Sequence, residues 1–325
     1  MKISPIIFIC CFWLLAGQAR SAENWYWQSS GQLLLKNYSG SAQSDNLSAF
    51  GVFLSGDYLE QAGFTIGYNN NYTNYKSALD SGLQGNDENI LFLSGHRNYY
   101  PDKLPGTLML RLDGYVGNDE TSFQTATSGP PMGNGFSQQI VTETVKDKFF
   151  VVYPTVSFLN YAKTVYADLG YAFSSYHSND NGTDDIDIVQ WTPTVGFGFN
   201  RGYDWLQLRA FFISLSASNR VEDKDGTTAL EAKWTHWFTA NAPLNLHSVR
   251  LSLLAGERIY AVDSDACSLC NVADVQTGLV AIGAEWKLSE KTSLLLQSGN
   301  EAYESLLLND DYSSTYIYVY LSQNW

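Results

Sequence analysis

From Thr107 to Gly117 the chain reads TLMLRLDGYVG, in which Leu108, Leu110, Leu112, Gly114 and Val116 share one face of an extended backbone while Met109, Arg111, Asp113 and Tyr115 share the other. A period of two is a strand pattern, and this one places an unbroken apolar stripe opposite a polar one. TVYADLGYAFSSY repeats it: Val165, Ala167, Leu169, Tyr171 and Phe173 oppose Tyr166, Asp168, Gly170, Ala172 and Ser174. VQWTPTVGFGFN does so again, with Val189, Trp191, Pro193, Val195, Phe197 and Phe199 against Gln190, Thr192, Thr194, Gly196 and Gly198. Some fourteen such segments, within a range of roughly 12 to 16, run through the chain, each about 10 to 14 residues long against the five or six usual in soluble sheets. Helix signals are scarce.

The first residues follow a different rule. Lys2 precedes an apolar run from Ile6 to Gly17, and small residues follow at Ala19, Ser21 and Ala22. That run is too short to span a bilayer and has the length of a secretory leader core, so residues 1–21 are expected to be a signal peptide cleaved after Ser21, cleavage after Ala19 also fitting. LLAGQ resembles a lipoprotein acylation site with Gln18 where the modified cysteine must stand, which makes the exported protein unlipidated. Beyond residue 22 no stretch approaches the roughly 20 apolar residues of a transmembrane helix, so any membrane must be met by strands.

The connections between candidate strands alternate in length. FLNYAKTVY, NRGYDWL and KLSEKTSL hold short turns; NDETSFQTATSGPPMGNG, HSNDNGTDD, RVEDKDGTT, VDSDACSLCNVAD and LNDDYSS hold the long ones. An even strand number with short turns on one side and long loops on the other describes a closed antiparallel transmembrane β-barrel, all-β, with both termini in the periplasm. Residues 22–325 form a single barrel domain in this reading, since no linker or low-complexity tract divides them. The ending TYIYVYLSQNW fits it: a last strand that pairs with the first needs no tail, and Trp25, Trp27 and Trp325 stand where an interfacial aromatic girdle is expected.

That ending resembles the C-terminal signal strand of Gram-negative outer-membrane β-barrel proteins, a final aromatic preceded by apolar residues at alternate positions. Ile317, Val319, Leu321 and Trp325 match; Gln323 interrupts the series, and Trp stands where Phe is commoner. The resemblance implies a porin-like protein of the cell outer membrane, with outer-membrane lipid, lipopolysaccharide and the barrel-assembly machinery as partners. It names no solute.

With 19 Lys and Arg against 33 Asp and Glu, the chain carries a formal charge of −14, and a nucleic-acid partner is excluded because phosphate binding requires the opposite sign. Turning the apolar faces to lipid leaves Lys36, Asp57, Arg111, Asp113, Asp168, Arg209, Glu231, Lys233, Arg250, Arg258, Glu285 and Lys287, together with Glu301, as pore-lining candidates of nearly balanced charge. The acid excess falls in the expected outer loops, among them Asp184, Asp185, Asp187, Asp225, Asp263, Asp265, Asp274, Asp310 and Asp311. Inward Gly170, Ser174, Gly196 and Gly198 are expected to leave space for a water-filled path. The aperiodic stretch from Asn118 to Gly135, bent by Gly129, Pro130 and Pro131, reads as an outward surface loop, with an inward constriction as the alternative.

The expected function is therefore a channel for small hydrophilic solutes or ions. A non-conducting barrel that anchors surface or secretion components is the rival reading, and an outer-membrane hydrolase comes third. For the last, His177, Ser178 and Asn179 look like the His-Ser-Asn chemistry of outer-membrane phospholipases, but His and Ser are adjacent here and on a strand point to opposite faces. No catalytic set, cofactor or metal is expected: His96, His236 and His247 are scattered, and Cys267 and Cys270 lack the further ligands that zinc needs. In an oxidising compartment those two cysteines read as a local loop disulfide.

Overall fold

A computed structural model describes residues 24–76, 83–128, 138–180, 182–221, 224–239, 242–263, 274–306 and 310–325. The expected leader, the Gly129–Gly135 bend and the expected Cys267–Cys270 disulfide lie outside the described residues. Fourteen strands occur among them: β1 (Trp25–Ser39), β2 (Ser44–Tyr58), β3 (Ala62–Tyr75), β4 (Leu83–Tyr99), β5 (Gly106–Ser128), β6 (Gln138–Asn160), β7 (Val165–Ser178), β8 (Ile186–Phe199), β9 (Asp204–Leu215), β10 (Gly226–Trp237), β11 (Leu246–Arg258), β12 (Val275–Lys287), β13 (Thr292–Ser305) and β14 (Asp310–Asn324). Each pairs antiparallel with its neighbours in sequence, and β1 pairs with β14, so the sheet closes on itself. The closing seam runs in register from Gln28↔Asn324 to Ser39↔Ser313, and the Trp325 N–H adds a bond to the Trp27 carbonyl at 3.0 Å.

Alternation sorts the side chains as the sequence requires. On β5 the outward Leu110, Leu112 and Val116 are exposed while inward Tyr115 is buried. Val280 and Ile282 on β12, Trp191, Val195 and Phe197 on β8, and Leu169 on β7 continue the exposed apolar surface around the wall. A belt of this extent far exceeds the few hundred Å² a water-soluble monomer leaves uncovered, and it suits hydrocarbon. No helix among the described residues is long and apolar enough to cross a membrane.

The two ends of the barrel differ. One carries the connections 59–61, 100–105, 161–164, 200–203, 238–245 and 288–291 together with both ends of the sheet; the other carries 40–43, 76–82, 129–137, 179–185, 216–225, 259–274 and 306–309. Leu59 and Glu60 illustrate the tight end, both at positive φ (47° and 56°) in a three-residue connection closed by the Gln61 N–H to the Tyr58 carbonyl at 2.8 Å.

Three loop expectations are corrected. Asn118–Ser128 is strand: β5 continues past its last partner on β4, Leu83↔Phe123, and β6 begins well before its first partner on β7, Asp147↔Ser178, so the two project together as a lone hairpin. Asn118–Phe123 still pairs with both β4 and β6; beyond Phe123 the strand pairs with β6 alone and needs no hydrophobic face, so it continues there without periodicity. LNDDYSS is mostly β14, leaving only 306–309 as connection, and Asp187 likewise belongs to β8.

The seam register is testable by disulfide trapping in a background with Cys267 and Cys270 replaced by Ser. Ser30→Cys with Ser322→Cys places the thiols directly opposite on one face and is expected to cross-link on oxidation, giving a band that stays fast-migrating after boiling without reductant. Shifting one partner to Leu321→Cys moves its thiol to the other face and is expected to abolish the cross-link.

Candidate functional site

The inner faces of all fourteen strands surround a cavity of about 1980 Å³ whose wall includes residues of both rims, from Gln28, Arg201 and Trp237 at the tight end to Asp274, Arg220 and Tyr312 at the other. Of the sequence-derived candidates, Lys36, Arg111, Asp168, Arg209, Glu231, Lys233, Arg250, Arg258 and Glu285 form part of that wall, as does Glu301. Three do not. Asp113 is wholly enclosed, its Oδ1 held by Arg111 Nε at 2.8 Å. Asp57, whose Oδ1 lies 3.3 Å from His96 Nε2, is half-exposed near the tight end, and Lys287 is exposed at the end of β12. Inward parity does not by itself put a side chain on the cavity wall: Asp113 is covered by its neighbours, and Asp57 and Lys287 stand at strand ends.

The charges concentrate in two places. Across β9, β10 and β11, Glu231 takes Lys233 Nζ at 3.1 Å and faces Arg209, its register partner, at 3.6 Å. Arg250 Nη2 reaches Glu285 Oε2 on β12 at 2.8 Å. At the β13–β14–β1 seam, Lys36 Nζ meets Glu301 Oε2 at 2.6 Å, and the same carboxylate accepts the hydroxyls of Tyr303 at 2.7 Å and Ser314 at 2.8 Å. Glu231, Lys36 and Glu301 are nearly buried, so these carboxylates need their full set of donors; removing one partner alone strands a charge.

The constriction lies in an unexpected place. After β11 the chain does not leave the barrel: Ile259, Tyr260, Ala261 and Val262 are buried inside it. The turn inward begins at a β-bulge, marked by the register shift between Ala255 and Arg258, where Gly256 has φ 98° and a Cβ would lie 2.5 Å from the Thr228 carbonyl. Gln190 on β8 then holds the segment as a strand neighbour would, its Nε2 donating to the Val262 carbonyl at 2.8 Å and its Oε1 accepting the Val262 N–H at 3.0 Å. Asp263 follows, 3.0 Å from Arg209 and 3.7 Å from Arg258, so an acid expected in an outer loop neutralises two lumen arginines. Tyr260 stacks near Tyr176 with ring centroids 5.1 Å apart. The sequence carried one signal for this: the apolar run Ile259–Val262 inside an otherwise acidic connection.

Around the mouth, Arg220 from the β9–β10 connection donates to both carboxylate oxygens of Asp147 and, at 2.6 Å, to the Asp184 carbonyl. Asp274 accepts the Tyr312 hydroxyl at 2.6 Å, and burial pushes its carboxyl above the usual range, with the hydrogen bonds of Tyr312 and Ser305 opposing. His177 pairs with Asp185 and is exposed, whereas Ser178 is buried and its Oγ accepts the Asp180 N–H, so the two share no proton. Among the described residues no group of His, Cys, Asp and Glu is arranged to hold a metal.

The inward glycines do not leave the space expected of them. Added Cβ atoms at Gly170 and Gly196 would meet Tyr153 Oη at 2.2 Å and the Trp205 ring at 2.5 Å, because those aromatic side chains pack against them. The glycines lower the wall so that rings can lie against it.

No protein-family model matches this chain, and no curated protein matches it in sequence. Solved structures match in shape. A Pseudomonas aeruginosa FadL homologue aligns over 93% of this chain and 90% of its own at 9% identity, with a TM-score of 0.55. The P. putida toluene transporter TodX aligns over 94% of this chain and 90% of its own at 11% identity, with a TM-score of 0.51. Identities this low show the fold alone, which is that of Gram-negative outer-membrane β-barrels.

Gln190→Ala removes both bonds to Val262 without touching the outward face. With each lost buried bond worth about 1 to 3 kcal/mol, amide exchange at Val262 is expected to accelerate at least about tenfold, read by hydrogen–deuterium exchange mass spectrometry on protein in detergent micelles. Unchanged exchange would show that the segment is held by its apolar packing.

Proposed function

We propose that this protein is an outer-membrane channel through which small hydrophilic solutes or ions diffuse, made as a precursor with a leader over residues 1–21 and a single barrel domain over 22–325. The observation that carries this reading is the cavity itself: about 1980 Å³, walled by every strand, touching both rims and edged by paired charges. A barrel that served only as an anchor has no need of a hydrated interior at this cost, since each buried ion requires compensation that apolar filling would supply more cheaply. The apolar belt supports the membrane, and the likeness in fold to a FadL homologue and to a toluene transporter supports transport in general. Mixed-sign rungs keep the path passable to either ion, with the β9–β11 wall setting a transverse field. Outer-membrane lipid, lipopolysaccharide and the assembly machinery are its proposed partners, the last through Ile317, Val319, Leu321 and Trp325, of which Ile317 is plainly exposed on the outer face.

Reconstitution in planar bilayers is the direct test, with stepwise ion conductance expected. Within it, Arg111→Glu in an Asp113→Asn background reverses a charge on the cavity wall without leaving the enclosed carboxylate unpaired, and is expected to shift selectivity toward cations while insertion proceeds. Leu110→Arg, one residue away on the exposed face, is expected to impair assembly, since an arginine facing lipid near the midplane costs about 2 to 4 kcal/mol. A harmless L110R with R111E failing to insert even in the Asp113→Asn background would mean that inside and outside are reversed.

A further inference from the structure

The aromatic residues of the lumen are arranged by rule. Tyr316, Tyr318 and Tyr320 occupy alternate positions on the inner face of β14 and all border the cavity, forming a column about 13 Å long at roughly 3.3 Å per residue. Tyr316 lies over Gly299, its register partner on β13, where an added Cβ would come within 2.6 Å of the ring. Side-chain amides fix the hydroxyl ends: Gln297 Nε2 donates to the Tyr316 oxygen at 2.7 Å, and Tyr318 donates to Gln32 Oε1 at 3.0 Å. Tyr153 over Gly170 and Trp205 over Gly196 repeat the device elsewhere on the wall. Tyr316, packed against Gly299, is buried and anchors the column, while Tyr318 and Tyr320 stay partly exposed on the cavity wall and offer ring surface to a solute.

Given a channel, which is the reading this inference rests on, we propose that the lumen binds a neutral polyhydroxylated solute, a linear oligosaccharide, along the Tyr316–Tyr320 column. The chemistry selects among solutes. Ring faces accept the C–H faces of a pyranose, leaving its hydroxyls at the rim of the ring, where Gln32, Gln297 and Lys36 stand beside the column. A purely apolar aromatic solute would stack equally well, but it would displace water from the polar wall around the column, where Gln28, Ser30, Gln32 and Gln297 border the cavity, and return no hydrogen bonds. A small inorganic ion makes no use of the faces. An extended chain of sugar units satisfies both halves of the surface, and a column of repeated rings matches a solute that repeats.

The experiment uses the full mature protein, with α- and β-linked neutral glucan hexasaccharides and toluene as probes. Binding is read by isothermal titration calorimetry in detergent, and by sugar-induced interruptions of the ion current in planar bilayers. At least one hexasaccharide is expected to bind, at least tenfold more tightly than glucose, and to interrupt the current reversibly. Tyr318→Ala is expected to weaken that binding tenfold or more, and Tyr318→Phe, which keeps the ring, by less than threefold; heat-modifiable gel migration verifies that both variants fold. A conducting protein that binds no hexasaccharide, or binds one equally well without the Tyr318 ring, or binds toluene in preference, overturns the inference and leaves the channel intact. Absence of current overturns the channel, with calorimetry still deciding the column.

Discussion

Every backbone N–H and C=O that meets hydrocarbon must find its partner within the protein, because each left unsatisfied there costs several kcal/mol. For a chain of strands this demands closure, and closure rests on one seam, the pairing of β1 with β14. Among the described residues no other strand pairing spans so much sequence or removes both edges at once. The remaining features follow from it: a closed sheet has an inside, alternation commits half of each strand to that inside, and fourteen strands make it too wide for side chains alone to fill.

What occupies the interior is settled by proximity across strands. Glu231 and Arg209 face one another because β9 and β10 are in a particular register, and Lys233 completes the set from the next inward position of β10. On the opposite arc the inner wall from β1 to β4 carries mostly neutral groups such as Ser55, Thr65, Asn71 and Ser94. The lumen is thus polarised across its width. The β11–β12 connection narrows it from within, held by Gln190 in the manner of a short extra strand and by Asp263 to the very arginines that line the charged wall.

Aromatic residues serve two solvents here. Trp25, Trp27, Tyr58 and Phe64 cluster at the tight end with ring centroids 5.5 to 5.9 Å apart, where an indole or phenol can sit between hydrocarbon and water. The tyrosines of β14 turn the other way, into the cavity. The same residue types do opposite work because parity along the strand, rather than composition, decides which solvent they meet.

The sequence by itself determined the class of fold, the approximate number of strands, their antiparallel order and the sorting of Leu110 from Arg111, because all of these depend on a period of two that is written locally. It also assigned an inward parity to the charged candidates such as Arg209 and Glu231, since parity is a local property as well. Only the tertiary structure decided which inward residues reach the cavity, leaving Asp113 enclosed and Asp57 and Lys287 off its wall; that the glycines of the wall lie beneath aromatic rings; that Asn118–Ser128 is a protruding strand; and that Ile259–Asp263 folds into the barrel. Those outcomes rest on partners distant in sequence, such as Gln190 for Val262 and Gly299 for Tyr316, and a local pattern cannot encode a register that exists only once the sheet has closed.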